Sequence, residues 1–210
     1  MKKMMILNML MVFPMLIIAQ AWEEQGQVDL NLTSTYGLIS VGSGFSAYPE
    51  PIPDQLQQVR DSLSLSNYST SLSLGFYMPW LSKRSLLGLR TDFYYDRFYH
   101  DQYWGRGATF ETIGITGGID YQQWFGSRSG RGPFIHFGGG LSKIKYSSTI
   151  GYSGFTDWGY GLSGGGGYGF PLKLIPGLES TAVCFDYQFR KFGEENFSYF
   201  NFNICFGGYF

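Results

Sequence analysis

The chain has 210 residues, of which 19 % are aromatic, 30 are Gly and only 15 % are charged, against about 25 % charged in ordinary soluble domains. A formal net charge of −1 excludes a general nucleic-acid binder, which needs a basic surface. Two Cys and two His offer no zinc-ligand spacing, and no cofactor is expected.

Met1-Lys2-Lys3 is a short basic start, followed by an apolar run from Met4 to Ile18 and an Ala19-Gln20-Ala21 cleavage site. This predicts a secretory signal peptide over 1–21, too short and wrongly flanked for a stable span. Residues 22–210 are then expected as one barrel domain. Without Lys2 and Lys3, thirteen basic residues face sixteen acidic ones, a net of −3. After Ile18 no run of about 18 apolar residues exists, so no transmembrane helix is available. Low charge with many aromatics and glycines is instead the composition of a membrane barrel.

The recurring pattern is a period of two, the mark of a strand with two environments. The first strand is predicted over 28–38, with Val28, Leu30, Leu32, Tyr36 and Leu38 on the outward face. A loop over 42–61 follows, because Pro49, Pro51 and Pro53 lack ladder donors. The second strand, 68–78, alternates Leu72, Leu74, Phe76 and Met78 with Ser69, Ser71, Ser73 and Gly75. The third, 87–97, sets Leu87, Leu89 and Phe93 against Arg90, Asp92 and Asp96. The fourth, 109–121, turns Ile113, Ile115 and Ile119 outward and Thr112, Thr116 and Asp120 inward. In the fifth, 133–146, Ile135, Phe137 and Leu141 oppose His136, Gly138 and Ser142. A slip near Lys143 to Lys145 predicts a bulge or the end of the membrane zone. The sixth, 158–172, places glycines on one face and Tyr160, Leu162, Tyr168 and Phe170 on the other. The seventh, 178–189, sets Val183, Phe185 and Tyr187 against Cys184, Asp186 and Gln188, and a short hairpin loop is expected over 190–198. The eighth, YFNFNICFGGYF from Tyr199 to Phe210, carries Phe200, Phe202, Ile204 and Phe206 on one face and Asn201, Asn203 and Cys205 on the other.

Eight amphipathic strands with alternately short and long connections predict an all-β fold, an eight-stranded antiparallel transmembrane β-barrel in up-and-down order. Closure is required, because an open edge in lipid leaves backbone groups unpaired. A water-soluble eight-stranded barrel would carry more charge on its outward faces.

The closing strand, with PFIHFGGGLS (Pro133 to Ser142), YGLSGGGGYGFPL (Tyr160 to Leu172) and LESTAVCFDYQF (Leu178 to Phe189), resembles the last four strands of the small OmpA-like porin-family barrels. The resemblance implies a bacterial outer-membrane location and a terminal aromatic strand read by the barrel-assembly machinery. It is specific for architecture and poor for function. The family includes structural barrels, adhesins, minor pores and subunits of larger complexes, so a protein partner at the outer loops is one expectation.

Cys184 and Cys205 fall on inward faces. A hairpin centred on Glu194-Glu195 pairs positions that sum to 389, so the two would face each other. An oxidising compartment then favours a disulfide, whereas a register slip leaves two unpaired thiols. The inward set Arg90, Asp92, Asp96, Asp120, His136 and Asp186 must fit an interior just wide enough for its own side chains. Such charges pair or bind water, giving a salt-bridged plug, with a narrow porin-like channel as the competing reading. A lipid A-modifying enzyme would need a His, a Ser and a carboxylate near the outer leaflet. His100 and Asp101 are in an outer loop, but no local motif joins them to a serine, and no enzyme is expected. Gly159-x-Gly161-x-x-Gly164 spells a dinucleotide fingerprint inside a strand pattern with no helix after it, and carries no such meaning. Arg97, Arg106, Lys143, Lys145, Arg190 and Lys191 lie near predicted outer strand ends. Contacts with outer-membrane lipids and lipopolysaccharide phosphates are the expectation there, a solvated rim the plainer alternative.

Overall fold

The computed structural model describes residues 35–47, 66–100, 108–149, 151, 153–172, 179–193 and 195–209. The expected signal segment 1–21, the expected strand residues 28–34, the Pro-containing stretch 48–65, Asp101 and Arg106 lie outside the described residues. The strands are β1 (Tyr36–Ala47), β2 (Ser66–Trp80), β3 (Ser82–His100), β4 (Ala108–Trp124), β5 (Gly132–Ser148), β6 (Ser153–Phe155), β7 (Gly159–Pro171), β8 (Ser180–Phe192) and β9 (Glu195–Tyr209).

Each long strand pairs antiparallel with the next in the chain, and β1 pairs with β9 from Tyr36↔Tyr209 to Ala47↔Ser198. The β4–β5 pairing completes the ring. The described residues therefore form a closed eight-stranded up-and-down barrel, with no edge left unpaired in lipid. The short β6 folds back onto the outer end of β5, with Lys145↔Phe155 and Ser147↔Ser153. It lies in the connection between the fifth and sixth expected strands, which end at 146 and begin at 158.

Three local expectations need correction. β1 runs through Ala47, into the expected loop, and its parity is reversed: Tyr36 and Leu38 are buried inside, while Ile39, Val41 and Phe45 are exposed. Tyr36 and Leu38 join an apolar layer that fills one end of the barrel, so apolar does not mean outward there. β5 has no bulge, because Lys143, Ile144 and Lys145 stay in continuous register with Ile115, Gly114 and Ile113. The register shift falls between Pro79 and Trp80 instead, where Pro has no ladder donor and Leu81 turns the chain at φ 61. The β8–β9 hairpin is also tighter than expected, with β8 reaching Phe192 and Gly193 at φ 59, a conformation glycine adopts without steric penalty. Cys184 consequently pairs with Asn203, and Cys205 with Ala182, two residues from the expected register.

Candidate functional site

The interior is built in three layers. At the end carrying the short turns, Tyr36, Leu38, Tyr77, Leu86, Trp124, Phe134 and Ala182 pack together with both cysteines. Trp124 stacks on Phe134 with ring centroids 4.2 Å apart, and Tyr36 bonds Ser180 Oγ at 2.8 Å. Near the long-loop end, Tyr94, Ile144, Phe192 and Tyr199 form a second apolar layer.

Between them lies a charged layer. The Arg90 guanidinium donates from Nε to Asp92 Oδ1 at 2.7 Å and from Nη2 to Asp186 Oδ2 at 2.8 Å. Arg90 stands on β3 and Asp186 on β8, four strands apart in either direction around the ring of eight. Their ion pair spans the barrel from wall to wall. His136 Nε2 lies 2.5 Å from Asp186 Oδ1, and its Nδ1 lies 3.1 Å from Asp120 Oδ1 and 3.2 Å from Arg90 Nη1. Tyr77 donates to Asp120 Oδ2 at 2.9 Å, and Asn203 donates to Asp186 Oδ2 at 2.7 Å. A buried charge left alone is expensive, so its partners must be brought to it. Here six strands supply them.

Above this layer, Asp96 accepts from Ser69 and from Thr112 at 3.4 Å. Arg190 donates to Thr116 Oγ1 at 2.8 Å and to Gln188, and its guanidinium lies 4.0 Å over the Tyr94 ring. The cavity lined by Arg90, Asp92, Thr116, Asp120, Ser163 and Arg190 measures about 10 Å³, room for about one water molecule. Gly165 on β7 makes the layer possible: a Cβ there would stand 2.7 Å from Asp186 Oδ1 and 2.8 Å from His136 Nε2.

The outside is the inverse of the inside. Ile39, Leu72, Phe76, Leu89, Ile119, Leu141, Leu162, Val183, Phe202 and Ile204 are all exposed, while Arg90, Asp92, Asp120, His136 and Asp186 are all buried. In water that partition would be backwards. Around a closed barrel it is what a hydrocarbon solvent selects. The chain is a closed β-barrel with a lipid-facing exterior.

No family model matches the chain, and no curated protein matches it. Among solved structures it is similar to Ail, the attachment invasion locus protein of Yersinia pestis, in complex with a heparin analogue. That match has a TM-score of 0.47 and 15 % identity, covering 82 % of this chain and 98 % of that one. Neisserial surface protein A aligns with a TM-score of 0.44 and 15 % identity, over 84 % of this chain and 97 % of that one. The outer-membrane enzyme PagL aligns with a TM-score of 0.39 and 14 % identity, over 80 % and 97 %. Such distant likeness concerns architecture, and function has to be read from this chain's own residues.

Of the sequence-predicted interior set, Arg90, Asp92, Asp120, His136 and Asp186 meet in one network, whereas Asp96 stands in the layer above with Ser69 and Thr112. Of the expected lipopolysaccharide contacts, Arg190 is inside the barrel at 2 % exposure and is withdrawn from the rim. Its parity with Asp186 and Gln188 carried the signal, one residue beyond the expected strand end. Arg97 stands outside, its Nε 3.6 Å from Glu111 Oε1. Lys143 Nζ lies over the rings of Phe155 and Trp158, at 5.5 and 5.2 Å from their centroids, and Lys145 Nζ lies 5.9 Å from that of Phe155. Lys191, partly exposed, pairs with Tyr160 across β7 and β8. His136, at 1 % exposure, has both ring nitrogens beside carboxylates and serves the network. Of the residues considered for an enzyme, His100 ends β3.

Proposed function

We propose that this protein is a closed, non-conducting barrel that holds a contact surface at the outer face of the membrane. The observation that supports the reading is the filled interior. An ion pair crosses the whole width at mid-height, and an apolar layer lies on either side of it. A solute would have to displace Arg90 from Asp92 and Asp186, leaving buried charges without partners. The rim offers a chemistry of its own: Lys143 and Lys145 stand on the outside of β5 against Phe155 and Trp158. Aromatic rings at headgroup level with ammonium groups beside them suit the phosphorylated headgroups of lipopolysaccharide.

The test is conductance of the purified protein in a planar bilayer, with heat-modifiable gel mobility to establish that it is folded. Folded protein is expected to give no steady channels. Reproducible unit conductance would overturn the closed-barrel reading in favour of a narrow pore lined by Arg90, Asp92 and Asp120.

A further inference from the structure

We propose that Cys184 and Cys205 are joined by a disulfide, and that it forms in the β8–β9 hairpin before the barrel closes. The proposal rests on the outer-membrane reading for its compartment, since chains that pass through the periplasm meet oxidising conditions.

Register and parity bring the two residues together. Cys184 faces Asn203 and Cys205 faces Ala182, which makes the cysteines diagonal neighbours on the inward side of adjacent strands. Their Sγ atoms lie 2.8 Å apart, nearer than two sulfurs that merely touch. Room for them is kept by Gly167 on β7, where a Cβ would stand 2.6 Å from the Cys184 Cβ.

Burial sets the order of events. Cys184 and Cys205 are 5 % and 3 % exposed, inside the apolar layer of Tyr36, Leu38, Tyr77, Leu86, Trp124 and Phe134. A protein oxidant cannot reach them once β1 has paired with β9. The hairpin, however, needs no distant segment: only residues 185–204 separate the cysteines, and local contacts of this kind form early. The co-reactant is a thiol oxidant that itself carries a disulfide. One cysteine thiolate of the chain attacks that disulfide, giving a mixed disulfide and releasing one oxidant thiol. The second cysteine then attacks the chain's sulfur in the mixed disulfide, the new S–S bond forms, and the second oxidant thiol leaves. Two electrons and two protons pass from the chain to the oxidant.

The experiment takes full-length protein from cell envelopes, quenches thiols with acid, denatures, adds N-ethylmaleimide and measures intact mass. The expected chain is two hydrogen masses lighter than the reduced one and takes no maleimide until a reductant is added, after which it takes two. Two adducts without reductant overturn the bond. Fractionation of the same envelopes tests the compartment separately: recovery of the chain outside the outer membrane overturns that reading, while the mass still decides the bond. For the order of events, precursor that accumulates in the periplasm when barrel assembly is depleted is assayed the same way. Oxidised precursor supports the hairpin-first order; reduced precursor beside oxidised barrel overturns it.

Discussion

Replacing Asp186 with Ala removes the acceptor on which the mid-barrel layer converges. Its Oδ2 accepts from Arg90 at 2.8 Å and Asn203 at 2.7 Å, and its Oδ1 lies 2.5 Å from His136 Nε2. The substitution leaves three nitrogens, Arg90 Nη2, Asn203 Nδ2 and His136 Nε2, facing the space the carboxylate filled. Breaking a buried ion pair costs about 3–5 kcal/mol, and each further orphaned donor adds about 1–3 kcal/mol. These terms overlap, because a relaxed Arg90 still has Asp92 at 2.7 Å. The expected net loss is about 4 kcal/mol. It is read from the urea midpoint of the folded form in lipid vesicles, with heat-modifiable mobility as the signal. Adding Arg90→Ala to Asp186→Ala should cost less than the sum of the single changes, since each single variant strands the other's charge. A loss below about 1 kcal/mol for Asp186→Ala, or strict additivity, would refute the claim that this pair braces the barrel.

Two glycines in β4 should behave oppositely in the same assay. A Cβ at Gly114 overlaps the Tyr94 ring, whereas one at Gly117 meets only Thr91 Oγ1, at 3.8 Å. Gly114→Ala should lose about 1–3 kcal/mol through overpacking, while Gly117→Ala should be neutral or gain about 0.5 kcal/mol from reduced backbone freedom; equal effects would remove the packing argument. Ile119 is 60 % exposed and faces outward opposite Gly139, so Ile119→Arg should destabilise by about 2–4 kcal/mol in a bilayer. A tolerated arginine there would contradict the lipid-facing assignment. Lys143→Glu with Lys145→Glu should reduce the lipopolysaccharide retained on purification without lowering the urea midpoint, because both side chains lie outside the barrel wall; unchanged retention would leave the rim merely solvated.

Most of the architecture was legible because a barrel in lipid imposes one rule on every strand, polar in and apolar out. Seven of the expected strands follow it, and the pairings from Ser66↔Tyr99 to Phe192↔Glu195 connect them in chain order. The rule fails where the interior is itself apolar. Tyr36 and Leu38 looked outward because they are hydrophobic, yet they share parity with Ser40, which is also buried. Ile39, Val41 and Phe45 carried the true outward signal. Ile144 misled in the same way: flanked by two lysines, it imitated a bulge, while the second apolar layer explains its burial without one. Arg190 was misplaced because a basic residue near a strand end suits a rim, although the alternation from Ser180 to Phe192 runs through it without a break. The charged layer was legible as a set of inward residues. Which of them touch was not, since that depends on the stagger between strands, and the hairpin turn set that stagger two residues from the expected value.

The wall-to-wall tie between β3 and β8 also has a mechanical meaning. The opposed pair β2 and β7 lines the interior largely with small residues, from Ser69, Ser71, Ser73 and Gly75 on one side to Gly161, Ser163, Gly165 and Gly167 on the other. One diameter thus carries a rigid strut, while the neighbouring diameter, one strand further round the ring, is lined mainly by small side chains. Any flattening that widens the barrel between β3 and β8 would pull Arg90 from Asp186, so the bond that neutralises those charges also resists that distortion. An engineer wishing to bore a channel through this protein would gain little by trimming β7, which has almost nothing to remove. The opening would have to come from the strut, at the expense of the barrel's roundness.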